Sequence, residues 1–165
     1  MSRANGARRR PSKARPIAGT LTARRVIHNA GVYQEPSRGD TPEGHAKILA
    51  VNTIAPFVHT ALIDRPARFV YLSSGMHKSG GSLDDIDRTS GPWSAGQAYS
   101  ESKLQVATIA AAVARQRWDA VGSVGDPGLD SYQDGRKESP DNLEEGHLTQ
   151  TWLAVSDDVE AKMSG

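Results

Sequence analysis

Tyr99-Ser-Glu-Ser-Lys103 opens the clearest helical run in the chain, and its reading decides the fold. Along an α-helix, residues four apart share one face, because a turn holds about 3.6 residues. Tyr99 and Lys103 are therefore expected to present a phenol and an ammonium to one cleft. A nearby cation favours the phenolate and makes the phenol a better proton donor or acceptor near neutral pH. Taken alone, the pair would be read as an exposed helical couple. Its weight comes from its company in chain order: His28-Asn-Ala-Gly31, Val51-Asn52, Tyr71-Leu-Ser-Ser74 and Asp126-Pro-Gly128.

Working outward, Gln97–Trp118 reads as one helix with an alanine-rich centre at Ala110, Ala111, Ala112 and Ala114. Small residues there predict close packing on a sheet, with Leu104, Val106, Ile109 and Val113 as the larger contacts. Arg68–Ser73 is the best strand, nearly continuous in β-favouring residues. Arg25–Ala30 and Ala120–Val124 read as two further short strands, each feeding a glycine turn. His45–Ile63 reads as a helix whose inner side is drawn from Ile48, Leu49, Asn52, Pro56, Phe57 and Leu62. Pro56 lacks an N–H, so a kink or restart is predicted near Thr53–Ala55, with Asn52 one turn before it. Residues 32–44 and 76–96 read as loops, the second carrying Asp84, Asp85 and Asp87 with Trp93 as its large anchor. His147–Val155 reads as a short apolar helix.

In order and spacing these segments resemble the short-chain dehydrogenase/reductase family, from about Arg25 to Gly165. The likeness is greatest to members with a long segment between the catalytic Ser and Tyr, such as retinol-dehydrogenase-like proteins. The resemblance implies an α/β fold: a partial Rossmann-like three-layer domain with a short parallel sheet. Three strands would lie side by side, ending near Asn29, Ser73 and Val124. Catalytic roles fall by resemblance on Asn52, Ser74, Tyr99 and Lys103. Cofactor contacts fall on Asn29, Ala30, Gly31, Tyr99, Lys103, Pro127 and Gly128.

The activity so implied is hydride transfer between NAD or NADP and a small or lipophilic alcohol or carbonyl compound. Tyr99 would pass the proton, Ser74 would hold the substrate oxygen, and Lys103 would supply electrostatic preorganisation. Relatives carry two more strands and a glycine-rich turn ahead of Asn-Ala-Gly, where backbone donors meet the pyrophosphate. No such turn precedes Arg25, and no acidic residue precedes Glu35. The resemblance therefore reads as N-terminally truncated, with weak or absent cofactor binding. The rival reading is a catalytically inactive remnant that acts through protein association, since an unpaired parallel edge strand invites pairing. A homo-oligomer or an aggregate is the expected state.

Composition frames these readings. The 165 residues carry a formal net charge of +1, with 37% hydrophobic residues and no cysteine. Disulfides, thiolate metal sites and a Cys nucleophile are thereby excluded. The five histidines are scattered, without metal-ligand spacing, and no metal is expected. Residues 1–25 hold eight basic groups and no acidic one, so the rest carries a net −7. Residues 1–22 read as a disordered basic tail ahead of a domain over 23–165. That tail lacks interleaved aromatics, so no specific nucleic-acid partner is expected. With no secretory apolar segment and no run near the roughly 20 residues that span a bilayer, the expectation is a cytoplasmic protein without a transmembrane segment.

Overall fold

A computed structural model describes residues 23–64, 66–81, 83–116, 121–125 and 146–163. The basic segment 1–22 and the Asp126-Pro-Gly128 motif, with its expected contacts at Pro127 and Gly128, lie outside the described residues.

Three strands are present among these residues: β1 (Arg25–His28), β2 (Arg68–Leu72) and β3 (Val121–Gly125). They lie in the order β1-β2-β3, and both pairings are parallel. His28 stands opposite Tyr71, and Leu72 opposite Gly125, so the three strand ends are level. Ser73 prolongs the ladder by donating its N–H to the Gly125 carbonyl at 2.9 Å. This α/β sheet is the one expected from Asn29, Ser73 and Val124.

Every residue of β2 is buried, as a central parallel strand covered on both faces requires. Alternation then divides its side chains between two layers. Phe69 and Tyr71 pack with Val106, Ala110 and Val113 of the long helix α3 (Ala95–Gln116). Val70 and Leu72 pack with Ala154 and Leu153 of α4 (Leu148–Val155), where the Leu153 carbonyl also accepts from Arg68 at 3.0 Å. The alanine-rich centre of α3 does bring helix and sheet close. A Cβ on Gly122 would stand 3.1 Å from the Ala110 carbonyl oxygen, so glycine is what lets the backbones meet. Helix α3 begins two residues ahead of the expected start at Gln97.

Between β1 and β2 the chain runs through α1 (Lys47–Leu49), a π-helical turn (Ala50–Ile54) and α2 (Ala55–Leu62). The irregularity expected ahead of Pro56 is thus a π turn within one continuous run, with the Ala55 N–H bonding the Ala50 carbonyl. Two of the residues assigned to the inner side are corrected. Ile48, Leu49, Asn52 and Pro56 are buried, but Phe57 is 57% and Leu62 63% exposed. The π turn adds a residue to the helical repeat, which rotates every later position of the helix by about 100°. Thr60 is turned inward instead.

Thr60 meets a buried polar group on the sheet. Its Oγ1 donates to the Pro56 carbonyl at 2.7 Å and lies 2.7 Å from the Tyr71 hydroxyl and 3.3 Å from His28 Nε2. The His28 ring stacks on Tyr71 and Phe69, with centroids 4.7 and 5.8 Å away. Burial, helped by the neighbouring His59, lowers the His28 pKa to about 4.

The loops are fastened by charge. Asp87 accepts the Ala46 N–H at 2.7 Å and Arg38 Nη2 at 2.9 Å, and its other oxygen meets His45 Nδ1 at 2.8 Å. Burial works against the Asp87 carboxylate, but the Ala46, His45 and Arg38 contacts outweigh it and hold the carboxyl below its usual range. Arg88, at φ +49°, donates to both oxygens of Glu101 at 2.8 Å and ties the same loop to α3. Among the described residues, no helix is long and apolar enough to cross a membrane, and no three His, Asp or Glu side chains are grouped to hold a metal ion.

Candidate active site

The site is built from the C-terminal ends of β1 and β2, the π turn, and the first turns of α3. Asn52 is its hub. Only 2% exposed, the Asn52 amide receives the Val32 N–H at Oδ1 (2.8 Å) and donates to the Val32 carbonyl (3.0 Å) and to Ser102 Oγ (3.0 Å). Ser102 Oγ in turn donates to the Tyr99 carbonyl at 2.8 Å. One amide therefore fixes both the loop after β1 and the turn of α3 that carries Tyr99. Pro56 shapes this place, because it offers no N–H to the Asn52 carbonyl four residues back.

Tyr99 and Lys103 share a face of α3, as their spacing requires. Lys103 Nζ lies over the Tyr99 ring, 5.3 Å from its centroid, within cation–π range. The same ammonium donates to the Leu72 carbonyl at 2.8 Å, although the lysine is only 7% exposed. Gly31 flanks this pair. A Cβ there would stand 3.6 Å from Asn52 Oδ1 and 3.7 Å from Lys103 Nζ, in ordinary contact with both groups.

The two serines at the end of β2 differ in place. Ser73 is buried and donates to the Lys103 carbonyl at 3.1 Å, a link between sheet and helix. Ser74 is partly exposed and caps the 3-10 turn Gly75–Ser79, accepting the Met76 N–H at 3.3 Å. Asn29 Oδ1 accepts from Gln150 Nε2 of α4 at 3.5 Å, and Ala30 is exposed. Asn52, Tyr99, Lys103 and Gly31 are thus brought together directly, with Ser74 on the adjoining strand end.

Two contributors were missed in the sequence. Ser102 was legible in principle, since a serine three residues after Tyr99 can bond back to its carbonyl. Tyr33 gave no such signal. Its ring lies tilted by 58° against that of Tyr99, with centroids 4.5 Å apart.

A nicotinamide cofactor can be tested against these residues. The Lys103 ammonium and the Tyr99 hydroxyl are donors of the kind that sugar hydroxyls accept, and Gly31 beside them carries no side chain. The glycine-rich turn that grips a pyrophosphate has no counterpart among the described residues.

Known proteins share this arrangement of elements. The chain is 30% identical over 143 residues to the short-chain dehydrogenase chry4 of Gibberella zeae, and the match covers 84% of this chain and 54% of that protein. It is 33% identical over 144 residues to the short-chain dehydrogenase chyC of Penicillium rubens, with the same coverage of 84% and 54%. The chain thus spans about half the length of the curated relatives it matches. Among solved structures, an uncharacterised protein from Mycobacterium paratuberculosis matches with a TM-score of 0.71 at 25% identity, over 85% of this chain and 53% of that one. The landomycin C-6 ketoreductase LanV, solved with NADP and rabelomycin, shares the fold at a TM-score of 0.55 and 19% identity, over 87% of this chain and 58% of that one. No family model matches the chain. The relatives support the short-chain dehydrogenase/reductase family at a coarse level, and the solved structures support its Rossmann-like fold.

Proposed function

We propose that this chain carries the catalytic part of an NAD(P)-dependent oxidoreductase of the short-chain dehydrogenase/reductase family. The observation that carries the reading is the junction at Asn52. Through Val32, Ser102 and the Tyr99 carbonyl, it gathers the end of β1 and the start of α3 around Lys103. Such a hub holds a phenol and an ammonium in fixed relation, as preorganised proton transfer needs.

A bound nicotinamide would supply the hydride chemistry. The chain's own residues would do the rest. The Tyr99 phenol would give its proton to, or take it from, the substrate oxygen. Lys103, anchored on the Leu72 carbonyl, would favour the phenolate. The Ser74 hydroxyl would hold the substrate oxygen, while Ser73 keeps strand and helix in register. Gly31 and Ala30 would border the nicotinamide. A small or lipophilic alcohol or carbonyl compound is the substrate class. The long segment between Ser74 and Tyr99 supports a placement near the retinol-dehydrogenase-like members.

A second reading has its own support. Among the described residues β1 is paired on one side only, and Ile27 within it is 39% exposed. Such an edge suits association with another chain, so a catalytically inactive partner subunit is the alternative.

Calorimetric titration of the purified chain with NADH and NADPH separates them. With no glycine-rich turn to grip a pyrophosphate among the described residues, affinity no tighter than about millimolar is expected for the chain alone. Turnover of a carbonyl panel that vanishes in Tyr99→Phe would support the enzyme reading. Neither binding nor turnover, with a stable association instead, would favour the alternative.

A further inference from the structure

Tyr33 has no part in the proton transfer assigned to Tyr99, yet its placement is unusually well determined. The residue before it, Val32, is held at both its N–H and its carbonyl by the Asn52 amide, at 2.8 and 3.0 Å. Gln34 after it adopts a left-handed backbone, at φ +55°. Glu35 is then fixed twice. Its carbonyl accepts from Trp93 Nε1 at 2.9 Å, and its carboxylate meets Lys47 Nζ at 2.8 Å. A loop tied at both sides of one residue gives that residue little freedom of direction. The direction it imposes brings the Tyr33 ring to 4.5 Å from Tyr99, at a 58° tilt.

Tyr99 needs such a neighbour. Its backbone is fixed through Ser102, but it is only partly buried, and its ring must keep a defined pose over Lys103. An aromatic ring set against a phenol favours offset or tilted poses over others, which an aliphatic contact does not. The same Asn52 amide anchors both tyrosines, one through Val32 and the other through Ser102.

We propose that Tyr33 is a positioning residue of the site, an aromatic stop that fixes the Tyr99 ring over the Lys103 ammonium. The proposal deepens the oxidoreductase reading and rests on it for its purpose. Its geometry can be tested without turnover. The hydroxyl of Tyr33 plays no part in this stop, so phenylalanine should replace it and leucine should not.

The experiment is a pH titration of the chain labelled with 13Cζ-tyrosine, followed by NMR, with Tyr99→Phe assigning the signal. In the wild type, Lys103→Met should move the Tyr99 titration midpoint. In the Tyr33→Leu background the Tyr99 signal should shift, and the effect of Lys103→Met should fall at least threefold. Tyr33→Phe should retain the wild-type response. Should Tyr33→Leu fail to fold, Trp93→Phe, which frees the Glu35 carbonyl, must show the same weakened coupling. A Tyr99 signal and Lys103 dependence unchanged in the folded loop variants would overturn the proposal. Because no cofactor or substrate enters the measurement, a chain with no oxidoreductase activity would fail the functional reading without affecting this result.

Discussion

Ser73 and Lys103 hold each other's element in both directions. The Ser73 hydroxyl donates to the Lys103 carbonyl at 3.1 Å, and the Lys103 ammonium donates to the carbonyl of Leu72, next to Ser73, at 2.8 Å. Strand end and helix are thereby stitched at the place where the phenol stands.

This stitch separates the two serines experimentally. Ser73→Ala should cost about 1 kcal/mol of folding stability, the net worth of one buried hydrogen bond. Ser74→Ala should cost less in stability and more in turnover. Urea denaturation beside kcat/KM for both variants checks the contrast. Equal effects on both readouts would show that the serines share one role.

Asn52→Leu should be the most damaging single change at the site. It removes three hydrogen bonds and leaves the N–H and carbonyl of Val32 to find other partners. A loss of roughly 2–4 kcal/mol is expected. Hydrogen exchange at the Val32 amide should accelerate along with it; an amide still protected in the variant would mean that another group holds the loop.

His28 predicts a pH dependence of stability. Its folded pKa is lowered to about 4, chiefly by burial, from an unfolded value of 6.5. The unfolded chain therefore binds the extra proton first as pH falls. Stability should be intact above about 6.5 and should decline toward 4, by at most roughly 3 kcal/mol. His28→Phe, which keeps the stacking on Tyr71 and Phe69, should flatten that part of the curve. A decline of unaltered size in the variant would assign it to other groups.

Arg88 combines a favourable ion pair with an unfavourable backbone. It bonds both oxygens of Glu101 while its φ is +49°. Both Arg88→Ala and Arg88→Gly lose the pair, but glycine tolerates the left-handed conformation. The glycine variant should be the more stable of the two by about 1 kcal/mol, measured by thermal unfolding. Alanine equal to glycine would show that the loop relaxes.

The legibility of the fold tracked the strength of its local patterns. The β2 run, with no polar break from Phe69 to Leu72, and the alanine-rich α3 were readable because burial on both faces and close packing each leave a compositional mark. Tyr99 and Lys103 were readable because helical spacing puts them together before any tertiary contact is known. Phe57 and Leu62 were misplaced because an inserted π-turn residue changes the phase of every position after it, and Pro56 announces a break without its type. The acidic loop gave no sign of its partners. Asp85 takes the N–H groups of Thr89 and Ser90 at 2.9 and 2.8 Å, and Asp87 takes that of Ala46, 41 positions earlier. Those partners lie in loops with no periodicity to read. The contact of Tyr33 with Tyr99 joins residues 33 and 99, and only the folded sheet brings them near.

The Asp87 knot has a consequence for how the protein opens. One carboxylate joins Arg38, His45 and Ala46 to a residue more than forty positions further along. Beside it, Arg88 fastens on Glu101, two residues from Lys103. The two crossing loops and the start of α3 therefore form one cooperative unit, whose parts would exchange with solvent at a common rate. A protease that finds any one of these segments accessible should find them all accessible together, because each is tied to the next by a buried or half-buried carboxylate.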